Sequence, residues 1–260
     1  MTVAVVLAAF ALAVPWEPVA PGVSIRQVAM AETGPLAVVR VIAVRVDPTR
    51  VSFTLDTATR DHGSRGAWSI ERTPPRALLA VNTGQFTSGG AWGWLVNNGD
   101  ELKTPGTGTL AMAFVVDNRG TPVLVTNAEL ASVRSRARLA IQSYPMLLTG
   151  TADLPWELQA PERGVDLDHR DSRLALGMLA DGSVIIALTR FTGLGAGAET
   201  LPWGPTVVEM ATFMRRLGCV RAMMLDGGIS SQMALRYADG TVRHWTNWRK
   251  VPMGLIVSPR

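Results

Sequence analysis

The chain has 260 residues, 47% of them hydrophobic and 18% charged, with a formal net charge of +4. That composition excludes an intrinsically disordered chain and supplies enough apolar surface for one large domain. The basic residues are scattered, so the small positive excess does not imply a nucleic-acid partner, and a single cysteine, Cys219, excludes an intrachain disulfide.

Residues 2–14 form an apolar run that is too short to span a bilayer. It has the length of a signal-peptide core, and Ala11-Leu12-Ala13 offers a small-residue cleavage pattern, although no basic residues precede it. The expectation is export: a periplasmic or secreted protein with no stable membrane span once the leader is removed. Pro15, Pro18, Pro21 and Gly22 make the next stretch read as a linker. Residues 1–22 are therefore assigned to leader and linker, and 23–260 to one domain.

From Val23 the pattern is mostly β. Strands are predicted at 36–46 and 51–55, rich in β-branched residues and parted by Asp47-Pro48. Residues 68–76 read as a short helix or turn ended by Pro74-Pro75. Strands follow at 77–81 and 110–116, the second pairing with 123–125 across Asp117-Asn118-Arg119-Gly120. Arg134, Arg136 and Arg138 alternate, which would line them up on one solvated strand face. Beyond a strand at 137–143, residues 173–179 and 183–188 read as a hairpin around Ala180-Asp181-Gly182.

One segment is helical by its spacing. Val207, Met210, Ala211, Met214 and Leu217 recur at helix period over 205–217, and Gly218 stands where a C-terminal cap glycine belongs. Cys219 then reads as a small buried hydrophobe. Residues 233–237 and 241–245 form another hairpin, and 251–257 could close the sheet. Together these elements predict an α+β fold: a single domain with a large, mostly antiparallel twisted sheet and few helices.

The apolar run 220–225 ends in Asp226-Gly227-Gly228-Ile229-Ser230. A carboxylate there, followed by residues without side chains, presents an ionisable group beside accessible backbone N–H groups. Alone, the Asp-Gly pair reads equally well as a turn. Three other segments share the pattern of a strand ending in polar residues: Asn82-Thr83-Gly84-Gln85-Phe86, Gln142-Ser143-Tyr144-Pro145-Met146, and Arg173-Leu174-Ala175-Leu176-Gly177.

In that order the four segments resemble the motifs of the phosphodiester glycosidase family, over roughly residues 21–259. Asn82, Gly84, Phe86, Arg173, Asp226, Gly227, Gly228 and Ser230 keep the family pattern. Thr83, Gln85, Tyr144, Leu174 and Ile229 depart from it. The resemblance implies a hydrolase that cleaves the C1–O bond of a sugar-1-phosphodiester in a glycan or cell-envelope polymer. It implies Asp226, Arg173 and Asn82 as catalytic residues, and Gly84, Phe86, Gln142, Ser143, Gly227, Gly228 and Ser230 as substrate-binding residues.

Chemistry agrees with those survivors. A phosphate departs as a stable anion and needs little general-acid help, so one carboxylate and one cation can suffice. Asp226 would act as base or nucleophile. The planar fork of Arg173 would hold phosphate oxygens. Backbone N–H groups of Gly227 and Gly228, with Ser230, would meet the departing charge. Asn82 would orient a hydroxyl or the water.

No cofactor or metal is expected. His62, His169 and His244 are not spaced as metal ligands. Asp166-Leu167-Asp168-His169-Arg170-Asp171 could hold a hard cation such as calcium, or carry a second acid into the site, but lacks the EF-hand pattern and reads as a solvated loop. Gly193 to Gly197 does not open a helix, so it is not a dinucleotide fingerprint, and G-x-S-x-G is absent. Of the eight tryptophans, Trp203, Trp245 and Trp248 lie near the later motifs, where an indole face could meet a sugar ring. The partner expected is a phosphorylated carbohydrate or envelope polymer. The alternatives are a carbohydrate- or phosphate-binding module without catalysis, and a structural partner in wall assembly. An anion beside phosphate weakens ground-state binding, which favours the enzyme.

Overall fold

A computed structural model describes residues 14–33, 39–57, 68–87, 90–193 and 197–260. The cleavage pattern at 11–13, the start of the strand predicted at 36–46, His62, and part of the 193–197 loop lie outside the described residues.

The strands run β1 (Glu17–Ala20), β2 (Val23–Ala29), β3 (Val39–Val46), β4 (Val51–Thr57), β5 (Leu79–Asn82), β6 (Phe86–Thr87), β7 (Gly90–Ala91), β8 (Leu95–Asn97) and β9 (Asp100–Lys103). Then follow β10 (Met112–Asp117), β11 (Pro122–Thr126), β12 (Ala137–Ser143), β13 (Met146–Thr149), β14 (Leu174–Leu179) and β15 (Val184–Phe191). The last four are β16 (Cys219–Met224), β17 (Met233–Arg236), β18 (Val242–Trp245) and β19 (Met253–Pro259). Among the described residues the α-helices are a single turn, α1 (Leu130–Val133), and α2 (Val207–Arg216).

The expected sheet is divided into three large sheets, besides a two-stranded ribbon of β6 and β7. One has seven strands in the order β1-β2-β3-β15-β14-β16-β13, and two have five, β11-β10-β12-β8-β9 and β18-β17-β5-β19-β4. Neighbouring strands pair antiparallel throughout. Alternation explains the architecture. On β3, Ile42, Val44 and Val46 join a core shared by all three sheets, while Val39 and Val41 join a second core under α2. Both faces of the seven-stranded sheet are thus covered, which is why its strands read as nearly continuous apolar runs. Phe53 of β4 and Phe114 of β10 meet edge to face at 5.5 Å, where the two smaller sheets join.

Helix α2 follows its predicted spacing and cap glycine, and a capping box not read from the sequence starts it. Thr206 accepts a hydrogen bond from the Glu209 N–H while Glu209 reaches back to the Thr206 N–H, and Gly218 takes a φ of +91°. Gly177 of β14 leaves the space into which Met214 and Cys219 pack.

Several sequence expectations change. The proline-bearing stretch read as a linker contains β1, an edge strand whose Pro18 needs no ladder partner on the open side. The three arginines do not share a strand face. Arg134 and Arg136 lie in a 3-10 turn, with Arg134 paired to Glu101, and only Arg138 is on β12. Strand β19 does not close a sheet edge, because it lies inside one, between β4 and β5. The 68–76 segment contains a 3-10 turn, Ile70–Arg72. It is anchored by Trp68, which lies fully buried against Gly254 of β19, where a Cβ would come within 2.0 Å of the indole.

Candidate active site

The four motif segments leave strands of three different sheets and meet. Asn82 ends β5, Ser143 ends β12, Arg173 immediately precedes β14, and Asp226 lies just beyond β16. Main-chain bonds tie the segments together: Asp226 N–H to Thr83 O (2.9 Å), Leu225 N–H to Leu174 O (2.7 Å), Gly228 N–H to Ser172 O (2.7 Å), and Met224 N–H to Pro145 O (3.0 Å). Shared placement at strand ends is therefore a property of the fold, and it accounts for motifs spaced far apart in sequence.

Asp226 is the one carboxylate within the four motif segments. Its Oδ2 is shut off from solvent and has no hydrogen-bond partner. Burial pushes its carboxyl up to about 6, with a smaller push from the charge of Asp171; a hydrogen bond from Ser230 and the charge of Arg249 oppose the rise. Such a group changes protonation near neutrality, as a general base must.

Arg173 adjoins the Asp226 loop through its backbone, its Cα 3.7 Å from where a Cβ on Gly227 would stand, and it is more constrained than its sequence suggests. Its Nε donates to Pro205 O at 3.0 Å and its Nη2 to His169 O. Burial lowers its pKa, offset by the charges of Asp171, Asp166, Glu209 and Tyr144. Together with Gln85, Tyr144, His169 and Gly227 it lines a cleft of about 140 Å³. That volume suits part of a ligand rather than a whole drug-sized one, for which about 300 Å³ or more is usual. Two larger, more open hollows, of about 720 and 460 Å³, lie by β1–β2 and by β11–α1, away from every motif residue. Convergent ionisable groups, not volume, single out the small cleft.

Three residues expected to touch substrate have polar groups bonded to the protein itself. Asn82 is fully buried; its Nδ2 donates to Asp226 O (2.7 Å) and its Oδ1 accepts from the Gln232 N–H (2.8 Å). It positions the Asp226 loop. Gln142 is buried, accepting from the N–H groups of Trp94 and Gly106 and donating to Gly106 O, Leu110 O and Asn127 Oδ1. It organises the glycine- and tryptophan-rich loop. The Gly228 N–H is committed to Ser172 O, whereas that of Gly227 has no such main-chain partner among the described residues.

Others keep to the site's edge. Gly84 packs against β12, where a Cβ would come within 2.8 Å of Gln142 O. Ser143 Oγ and Thr83 Oγ1 are buried without partners. Ser230 is buried and bonded to Asp226. Phe86 carries the Arg249 guanidinium on its ring at 4.8 Å.

Sequence reasoning missed two participants. Arg249, between β18 and β19, is the cation whose charge acts on Asp226. Nothing in Trp248-Arg249-Lys250 marks it, because its place depends on Arg249 N–H bonding Ile229 O (3.1 Å). Arg190, near the end of β15, is 2% exposed and makes hydrogen bonds to Ser172 Oγ, Thr189 O, Ser231 Oγ and O, Trp245 O and Thr246 O. Among the described residues no carboxylate forms an ion pair with it, and burial lowers it to about 10, opposed by the charge of Glu199. It pins the segments bearing Asp171, Ser230 and Arg249 to one point.

Trp245 is buried, while Trp203 and Trp248 are 57% and 65% exposed. Both exposed indoles sit on segments that flank the carboxylates. Gly204 abuts Asp171, and Asn247 bonds Gly228 O (2.8 Å). Among the described residues no three His, Cys, Asp or Glu side chains gather as a metal-binding group. No helix there is long and apolar enough to cross a membrane.

Comparison with known proteins places this arrangement. The catalytic domain of zebrafish N-acetylglucosamine-1-phosphodiester alpha-N-acetylglucosaminidase, in a form auto-inhibited by its pro-peptide, shares the fold with a TM-score of 0.67 at 19% identity, over 94% of this chain and 85% of that one. A hypothetical protein from Synechocystis gives 0.59 at 15%, over 94% and 64%. A Burkholderia pseudomallei protein inferred to be exported gives 0.58 at 15%, over 88% and 76%. No curated protein sequence matches significantly. The sequence profile of the phosphodiester glycosidases matches residues 75–258, which contain every motif segment described above. The chain belongs to the phosphodiester glycosidase family.

Proposed function

We propose that the protein hydrolyses the C1–O bond of a sugar-1-phosphodiester within a glycan or envelope polymer. The observation that carries this reading is Asp226: a buried carboxyl with one oxygen unpartnered, poised near neutrality, at the meeting point of four family motifs. Export to the periplasm or beyond belongs to the same proposal, supported by the apolar run at 2–14.

In the proposed step water attacks C1, Asp226 takes its proton, and the C1–O bond breaks with its electron pair passing to the phosphate. Asp226 attacking C1 directly is the covalent variant of the same reading. Arg173 and Arg249 supply the positive charge for the departing anion, and the Gly227 N–H and Ser230 add hydrogen-bond donors. No group beyond these side chains is called on, because the phosphate is stable once free. Trp203 and Trp248 offer indole faces for sugar rings on either side.

A binding module without catalysis is the second reading. Tyr144 and Gln85, which depart from the family pattern, both line the cleft, and Tyr144 is held edge-on to Trp92 at 5.1 Å. Turnover in ¹⁸O-water separates the two. The hydrolase reading predicts release of a reducing sugar from a methyl sugar-1-phosphodiester, with the label entering the sugar and not the phosphate. Label in the phosphate means P–O cleavage and rejects the mechanism. Absence of product across a panel of sugars leaves the binding module.

A further inference from the structure

The two glycines after Asp226 do more than expose backbone. A Cβ on Gly227 would stand 2.6 Å from Ser172 O, and one on Gly228, whose φ is +56°, would stand 2.7 Å from Asp171 Oδ2. A third glycine closes on the same residue from the far side: at Gly204 a Cβ would lie 2.2 Å from Asp171 O. Real side chains essentially never approach so closely, so each glycine clears room for the 171–172 segment. The Gly228 N–H to Ser172 O bond (2.7 Å) then holds that segment against the Asp226 loop.

What these glycines admit is a carboxylate. Asp171 Oδ1 accepts from the Ser172 N–H at 2.8 Å, and its Oδ2 faces His169 Nε2 at 3.4 Å. The side chain remains 21% exposed, beside His169, which lines the cleft. The charged and titratable groups around the pair are few. Arg249 and Ser230 face Asp226, His169 and Arg173 face Asp171, and Asp166, Glu209 and Tyr144 act on Arg173.

We propose that Asp171 is a second carboxylate of this site, brought beside Asp226 by the Gly227-Gly228 pair, and that it acts through Asp226 as the anion against which that base holds and releases its proton. Its role is positioning and electrostatic; Asp226 remains the group that takes the proton of water. The negative charge of Asp171 makes Asp226 a stronger base than burial alone would, and the nearby cations keep the two acids from repelling each other out of place.

The inference rests on the hydrolase reading of Asp226, and its test does not depend on turnover. Protein labelled with ¹³C at the aspartate carboxyls is titrated by NMR, the Asp226 signal being assigned by its loss in Asp226→Asn. Asp171→Asn keeps the acceptor for Ser172 N–H and so preserves the fold. It is expected to shift the Asp226 midpoint downward, stopping above the ordinary aspartate value because burial persists. Gly228→Ala, which displaces Asp171 by steric contact, is expected to shift it the same way. With a methyl sugar-1-phosphodiester, Asp171→Asn moves the acid limb of kcat to lower pH and lowers the plateau, whereas purely structural damage lowers the plateau alone. An Asp226 midpoint unchanged in both variants overturns the pairing. A coupled titration in a wild type without turnover upholds the pairing and rejects Asp226 as a glycosidic base.

Discussion

Burial raises the Asp226 carboxyl to about 6, and a raised acid has a measurable sign. The unfolded chain releases the proton near the ordinary value of 3.8, whereas the folded chain keeps it until about 6. Between these values the native state binds more protons, so stability falls as pH rises, and the deficit is full above 6. A difference of about two units corresponds to roughly 3 kcal/mol. Asp226→Asn removes the group that must ionise. The variant is expected to unfold at a higher urea concentration than wild type at pH above 6, by up to that order, with the gain gone below 3.8. Equal midpoints at both ends of this range would mean that the carboxyl is better solvated than its surroundings indicate. Burying this carboxyl therefore costs the fold stability at neutral pH.

At the scale of elements, helix α2 was legible from its apolar spacing and from Gly218 because both signals are local, whereas its Thr206–Glu209 capping box emerged only in the structure. Hairpins were legible for the same reason, and β10 and β11 pair with Val116 opposite Pro122. Elements fixed by distant partners were not. Strand β1 exists because β2 offers it an edge, and the arginines at 134 and 136 turn because Arg134 finds Glu101. Motif residues were recognisable by identity but not by role. Asn82 and Gln142 carry amides that could meet a sugar, and only the fold shows that backbone groups already occupy them. Arg190 was invisible for the converse reason, since nothing local distinguishes a buried arginine in β15 from a solvated one. Its six hydrogen bonds give a firm expectation. Arg190→Met leaves several carbonyls and hydroxyls unsatisfied and should destabilise the protein by roughly 3 kcal/mol in urea unfolding. Faster amide exchange should appear at 228–231, held by those bonds. A variant as stable as wild type would show that water replaces the guanidinium freely.

Across the whole molecule, three sheets share one core, and the ends of β5, β12, β14 and β16 come together where they meet. No single sheet could assemble the site. Carboxylates arrive from the seven-stranded sheet, the asparagine that sets the loop from one five-stranded sheet, and the cleft wall at Tyr144 from the end of β12 in the other. Substitutions at Tyr144 or Gln85 can therefore vary the cleft without touching the core. The most direct measurement is the rate at which purified protein frees reducing sugar from a sugar-1-phosphodiester, compared with Asp226→Asn at the same pH. Loss of a positioned base should cut kcat by about 10²- to 10⁴-fold while the variant stays folded and at least as stable. A folded Asp226→Asn protein that turns over at the wild-type rate would contradict the account.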